Sequence, residues 1–322
     1  MWQPERLVQG PVRLLESQIP QLNRLFADAF TDRYRKDGFV GMRVPQLHAD
    51  VWRYALRDAG SGAMGWLDER GELVAFNVAH HSGEEGWMGP LAVRPDRQGL
   101  GLGKTVIKSA LDWLLARRAR VIGVETMPRT TENIGFYSRL GFNPAYLTVS
   151  LSNEVAERAA RGSWVRLGEA DPEERRDWLA RCRRSLQSAM AGYDFTREQE
   201  LTAELGLGDT VVLDSAGAPG AFALYHSAPL VEGRPADELR VLKLYAASPE
   251  AFHRIMTALE AVAAELGLRR VAIRCQTAYR DAYRYLIERG YRVRWTDLRM
   301  WWHGYEEPMA SGGAVVFSNW EI

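Results

Sequence analysis

The chain has 322 residues, and its 41 Lys plus Arg balance 41 Asp plus Glu at a formal net charge of zero, so no overall field recruits nucleic acid or an anionic membrane. The length suits about two domains of ~100–200 residues, no apolar run approaches the ~18 residues of a membrane span, and the opening MWQPERLVQG lacks the apolar core of a signal peptide. Two cysteines and six scattered histidines offer neither a disulfide framework nor metal-ligand spacing, which makes a cytoplasmic, metal-free protein the expectation.

Along the chain, VRLLES from Val12 reads as an opening strand. WLDERGELVAFNVAHH from Trp66 reads as a two-stranded hairpin, with Leu-Asp before a glycine turn and Ala-Phe after it. The apolar run Trp87 to Val93 is a strand, and Val106, Ile107, Ala110, Leu111, Leu114 and Leu115 then recur at helical spacing, with Lys108 and Asp112 turned outward. VIGVET (Val121 to Thr126) is a short buried strand, and the helix TENIGFYSRL that follows stops at Gly141. The second half repeats the design. VRLGEA from Val165 echoes VRLLES, VLDSAGAPGAFALYHS echoes the hairpin, and VAIRCQ…AYRYLIERGY echoes VIGVET…NIGFYSRLGF with Gly290 in the place of Gly141. The polar stretch Ser152 to Ser163 carries no strand pattern, which divides the chain into residues 1–152, a linker at 153–163, and residues 164–322.

Between strand and helix lies VRPDRQGLGLGK, Val93 to Lys104. Gly99, Gly101 and Gly103 remove Cβ atoms from the turn, so backbone can close around a ligand, and the free N–H groups at the helix start favour a phosphate. Two glycine loops fit poorly. The dinucleotide fingerprint fails because Lys104 stands where its third glycine belongs, and the triphosphate loop fails because Gln98 replaces its first. The pattern V-x-P-x-x-[QR]-x-x-G-x-[GA] is met by Val93, Pro95, Gln98, Gly101 and Gly103. It resembles the acetyl-CoA loop of the GNAT superfamily of N-acetyltransferases. Phe136, Tyr137, Gly141 and Phe142 match the closing FYxxxGF motif of that family, in which the tyrosine is an acid. Asn133 lies one helical turn before Tyr137, on the same face. The asparagine often found seven residues before the tyrosine is Thr130 here, which removes that cofactor contact from the expectation.

The resemblance implies an α+β (mixed α/β) fold of two tandem GNAT-like domains, each a twisted, mostly antiparallel sheet with a splayed central parallel pair flanked by helices. It implies acetyl-CoA as co-substrate, held by Leu91, Ala92, Val93, Gln98, Gly99, Leu100, Gly101, Leu102, Gly103, Lys104, Asn133 and Phe136. The reaction would move an acetyl group to a primary amine of a small molecule, by a monomer or homodimer that engages neither nucleic acid nor membrane. An amine of pKa ~10.4 must lose a proton before it attacks, and Tyr137 at ~10 is matched to a departing thiolate of ~8.5. Glu125, ending its strand, is the first choice as general base. His80 or His81, a water chain, and the C-terminal carboxylate after Trp320 are the alternatives. Residues Gln21 to Gly60 supply helices over the acceptor cleft in this family, and here they carry Phe26, Phe30, Tyr34, Phe39, Trp52 and Tyr54, which suits a partly apolar or ring-bearing amine.

The second half has no glycine between Gly233 and Gly267, and Leu286 stands where Tyr137 does. An active first half and a degenerate second half follow. Mycothiol synthase, a tandem relative, places catalysis in its second half, so the missing loop argues against that identity. A non-catalytic acyl-CoA-binding or regulatory module is the rival of a different class, and it would need no Tyr137.

Overall fold

In the computed structural model, which describes residues 8–155, 163–215 and 217–320, the first half runs β1 (Gln9–Arg13), α1 (Ile19–Lys36), α2 (Ala49–Ala59), β2 (Ala63–Leu67), β3 (Leu73–Ser82), β4 (Glu85–Val93), α3 (Leu102–Ala116), β5 (Val121–Thr126), α4 (Thr131–Arg139) and β6 (Phe142–Glu154). The second half runs β7 (Val165–Arg166), α5 (Pro172–Ala189), α6 (Thr196–Glu204), β8 (Gly208–Ser215), β9 (Ala218–His226), β10 (Glu238–Ala246), α7 (Pro249–Glu265), β11 (Arg270–Gln276), α8 (Arg280–Glu288), β12 (Arg292–Trp302) and β13 (Val315–Ser318). Local chemistry explains several boundaries. Asp171 caps α5 by accepting from the N–H groups of Glu173 and Glu174, and Ser248 caps α7 by accepting from Ala251, as short polar side chains do at helix starts. Val106, Ile107, Ala110, Leu111 and Leu114 are buried, and these make the inner face of α3.

One mixed sheet holds all thirteen described strands, in the order β1-β2-β3-β4-β5-β12-β6-β11-β10-β9-β8-β7, with β13 on β10. The halves exchange their last long strands. β12 pairs with β5 of the first half through Leu298–Trp301 opposite Thr126–Gly123, and β6 pairs with β11 of the second half from Thr148 to Glu154. Two differences from the sequence reading follow. β6 runs into the predicted linker and keeps pairing through Glu154, while residues 156–162 lie outside the described ones. The halves also do not own separate sheets, because a repeat visible in sequence does not say which copy of a strand fills which slot.

The sheet curls strongly. Five strand steps separate β4 from β10, roughly 24 Å if the sheet were flat, yet the Lys243 ammonium lies 4.2 Å from the centre of the Trp87 ring and 3.6 Å from a Glu85 carboxylate oxygen. Accumulated strand twist makes such a trough. At its base sits a buried polar cluster built from both halves. Arg299 of β12 bonds Glu125 at 3.0 Å, Glu307 at 2.8 Å and the Ser318 carbonyl at 2.6 Å, and its guanidinium stacks 3.6 Å from the Trp320 ring. Burial alone would lower the Arg299 pKa, but Glu307 and Glu125 hold it well above the ordinary value. Trp320 donates to Glu85 at 2.7 Å and lies so close to β5 that a Cβ on Gly123 would sit 2.1 Å from its ring.

Removing Arg299 takes the cation from buried Glu307 and one of two from buried Glu125, so Arg299→Met is expected to destabilise the fold by ~3–5 kcal/mol. Urea denaturation followed by tryptophan fluorescence measures this, and a midpoint equal to that of the unsubstituted protein would contradict it.

Candidate active site

β4 and β5 pair in parallel from Glu85–Met88 to Val121–Val124, where their ladder ends. Opposite, Asn77 pairs with Leu91 and Ala79 with Met88, so Val78 alone faces both Gly89 and Pro90. That is a bulge, which bends a strand and re-aims its neighbours. Proline supplies no ladder donor, and Gly89 holds φ +150°, so the residue types at the bulge suit the divergence. The two strands part beyond Met88 and Val124, as the family resemblance implies, and Leu91, Ala92 and Val93 of β4 and Glu125 of β5 line the opening.

The turn after β4 ends at Gly101, the N-cap of α3, with φ +83° and no side-chain cap. Gly99 is also left-handed, at +76°. Lys104 and Thr105 return their N–H groups to the Gly101 carbonyl. Among the described residues, the N–H groups of Gly99 to Gly103 have no protein acceptor, so they form a cluster of free donors at a helix N-terminus. A Cβ on Gly99 or Gly101 would meet nothing within 4 Å, whereas one on Gly103 would point at Phe136, 3.4 Å away. Gln98 braces the turn by donating to the Val93 carbonyl at 3.0 Å. Gln98, Gly99 and Gly103 line the cavity, while Leu100, Gly101, Leu102 and Lys104 do not. Leu100 and Lys104 face solvent.

Helix α4 brings Asn133, Phe136 and Tyr137 to the cavity wall. Tyr137 is buried, and among the described residues its hydroxyl has no protein partner. Burial pushes its pKa above the ordinary tyrosine value, so the hydroxyl stays protonated at neutral pH. Thr130 is turned away and donates to Asp37 at 2.5 Å.

The carboxylate of Glu125 is fully engaged. It accepts from Thr148 and Arg274 at 2.5 Å each and from Arg299 at 3.0 Å. Burial would raise its pKa, but Arg274 and Arg299 hold it below the usual carboxylate range. The histidines lie elsewhere: His80 is buried, bonded to Asp58 at 2.5 Å and stacked on Trp87, and neither it nor His81 lines the cavity. Burial lowers the pKa of His81. Trp320 reaches the cavity wall, while the C-terminal carboxylate beyond it lies outside the described residues.

The cavity encloses about 1010 Å³ between the two halves. Phe26, Phe30 and Tyr34 of α1 roof it, as the acceptor region predicts. Trp52 and Tyr54 are instead core residues, and Phe39 packs on Tyr34 and Trp295. Sequence reasoning missed the floor, where Arg240, Arg270, Arg274 and Arg294 come from the second half. Their signal was faint: Arg270 and Arg274 share one face of an otherwise apolar strand.

The matching place in the second half is closed. β10 and β11 pair in parallel from Glu238–Val241 to Arg270–Ile273, and from Lys243 to Ala246 the next slot is taken by β13, antiparallel to β10. Ser248 caps α7 with its own side chain, and Leu286 is buried in the core.

Residues 20–142 match the Acetyltransferase (GNAT) family. The [ribosomal protein bS18]-alanine N-acetyltransferase of Escherichia coli (strain K12) is 30% identical over 79 residues, which are 24% of this chain and 53% of that enzyme. The chain therefore spans about half the length of the curated relatives it matches. Among solved structures, N-myristoyltransferase of Saccharomyces cerevisiae with bound myristoyl-CoA and inhibitors superposes at TM-score 0.63, with 11% identity over 98% of this chain and 88% of that one. A tandem GNAT protein from the clavulanic acid biosynthesis pathway superposes at 0.58, with 13% identity over 92% and 98%. Among the described residues, no helix is long and apolar enough to cross a membrane. Residues 20–142 thus carry the match to the GNAT acetyltransferase family, and the chain as a whole shares the fold of a tandem GNAT protein.

Proposed function

We propose that the protein is an acetyl-CoA-dependent N-acetyltransferase whose first half carries the chemistry and whose small-molecule amine acceptor enters between the two halves. The observation that carries this reading is the alignment of three features along one cavity: the free N–H cluster at Gly99 to Gly103, the opening between β4 and β5, and the unpartnered Tyr137 hydroxyl. The loop N–H groups would hold the pyrophosphate. The backbone of Leu91 to Val93, freed from β5, would face the thioester, which supplies an activated acetyl group. The amine nitrogen bonds the acetyl carbon, the carbon–sulfur bond breaks, Tyr137 donates its proton to the sulfur, and the nitrogen loses its surplus proton to water, from which the tyrosinate regains one. Burial raises the tyrosine pKa, and the same apolar surroundings raise that of the thiolate, so the match between them is kept. Glu125, held anionic by two guanidiniums, is better suited to fixing Arg274 and Thr148 than to taking a proton. Loss of the amine proton to water before attack fits that electrostatic setting. An intact Tyr137 facing the cavity favours an enzyme over a binding module.

Gly103→Leu would place a side chain across the cavity beside Phe136 and should weaken acetyl-CoA binding by tenfold or more, ~1.4 kcal/mol. Calorimetry tests this, and an unchanged affinity would count against the loop. Tyr137→Phe should retain the fold and CoA affinity but lower kcat by ~10²–10⁴, read as thiol release in an amine screen; wild-type turnover would remove the acid role. Because β13 fills the second gap, titration should reach saturation at one CoA per chain, and two would show that the second half binds cofactor as well.

A further inference from the structure

Arg240 occupies an unusual position. It lies on β10 opposite His226 of β9 and Ala272 of β11, and it lines the cavity. The other floor arginines next to it are neutralised. Arg274 pairs with Glu125 and Asp297, and Arg270 pairs with Asp237 at 2.5 Å and Glu238 at 3.8 Å. Among the described residues Arg240 forms no ion pair, and its guanidinium donates to the Ala228 carbonyl at 3.1 Å. Its side chain is partly buried, and burial pulls its pKa below the usual guanidinium value against the opposing charge of Glu238, which is itself paired to Arg270. His226 adds no second positive charge beside it, since burial and the Arg240 charge push its imidazole down to about 3 and keep it neutral. Arg294 also lines the cavity. It donates to Ser152 at 2.8 Å and takes part in no ion pair among the described residues.

The curl of the sheet gives this cation its meaning. Lys243 of β10 lies on Trp87 of β4, so β10 faces β4 across the trough. From Lys243 back to Arg240 and from Trp87 forward to Leu91 the two strands climb toward the same end, since the pairings between them make β10 antiparallel to β4. Facing sheet layers lie ~10 Å apart. Arg240 therefore stands across the cavity from the β4 opening, on the order of 10 Å from where the acetyl group would lie. A guanidinium has five donors in a fixed fork that suits a carboxylate or phosphate, and Arg240, with one donation to a carbonyl and no carboxylate in ion-pair contact among the described residues, leaves most of that fork open to an anion.

We infer that the acceptor amine carries an anionic group, a carboxylate or a phosphate, which Arg240 binds across the cavity from the acetyl group, with Arg294 at the same floor. This rests on the acetyltransferase reading above. The roof of Phe26 and Phe30 then covers the uncharged body of such a molecule.

The test uses the full chain loaded with saturating CoA, which fills the pyrophosphate loop first and is verified by calorimetry. Succinate and inorganic phosphate are then titrated separately, which distinguishes the two anion types. Saturable binding of at least one, weakened tenfold or more in Arg240→Gln and partly restored in Arg240→Lys, with CoA affinity unchanged in both, is the expected result. Lack of saturable binding of either anion to the wild-type CoA complex would overturn the inference, as would undiminished binding in folded Arg240→Gln. If Arg240→Gln does not fold, the wild-type titration still decides. Failure of CoA itself to bind would instead overturn the acetyltransferase reading, so the two failures are distinguishable.

Discussion

Every other feature of the molecule depends on the placement of β12 between β5 and β6. With that strand in place, the first half cannot complete its sheet alone, and β6 is free to pair with β11 of the second half. A continuous hydrogen-bonded ladder therefore crosses from one half to the other, where a pair of separate domains would present two edges. Unpaired edges attract other chains, and the exchange removes two of them. It also delivers Arg299 to the base of the trough, where it joins Glu125 of the first half to Glu307 and the Ser318 carbonyl of the second.

A buried cluster of this kind is poor evidence for stability by itself, since desolvation offsets much of the attraction. Its geometry has a clearer consequence. Arg299, Arg274 and Thr148 together occupy the Glu125 carboxylate, and against the effect of burial the two guanidiniums hold its pKa below the usual carboxylate range. The same cluster seats Trp320 against Gly123, where only a glycine leaves room, and closes one end of the cavity beside the splayed strands.

The two halves solve one topological problem in opposite ways. Each has a parallel strand pair that separates partway along. In the first half the bulge at Gly89 and Pro90 leaves the opening clear, with uncapped donors at Gly99 to Gly103 above it. In the second half β13 fills the opening, and Ser248 satisfies the helix start. The second half contributes a wall of the cavity, and its face in the trough is where the arginines gather.

Much of this was legible in the chain. The hairpins, the VIGVET strand and the α4 helix follow from apolar periodicity and glycine stops, because those signals are local and the backbone must satisfy its hydrogen bonds wherever they occur. The glycine turn before α3 was legible for the same reason: left-handed φ at Gly99 and Gly101 is a demand on residue type at fixed spacing. Tyr137 could be found from its motif, and Leu286 marked the degenerate copy. What the chain by itself determined was thus the elements, the repeat and the half that keeps its loop. Tertiary structure alone decided that β6 and β12 change places, since two copies of a strand with similar alternation fit either slot by pattern. It alone decided that β13 plugs the second opening, that Glu125 meets two guanidiniums, and that Arg240 faces the cavity outside any ion pair among the described residues. Each of these depends on which distant side chains share a desolvated space, a property of the curled sheet that no local spacing encodes.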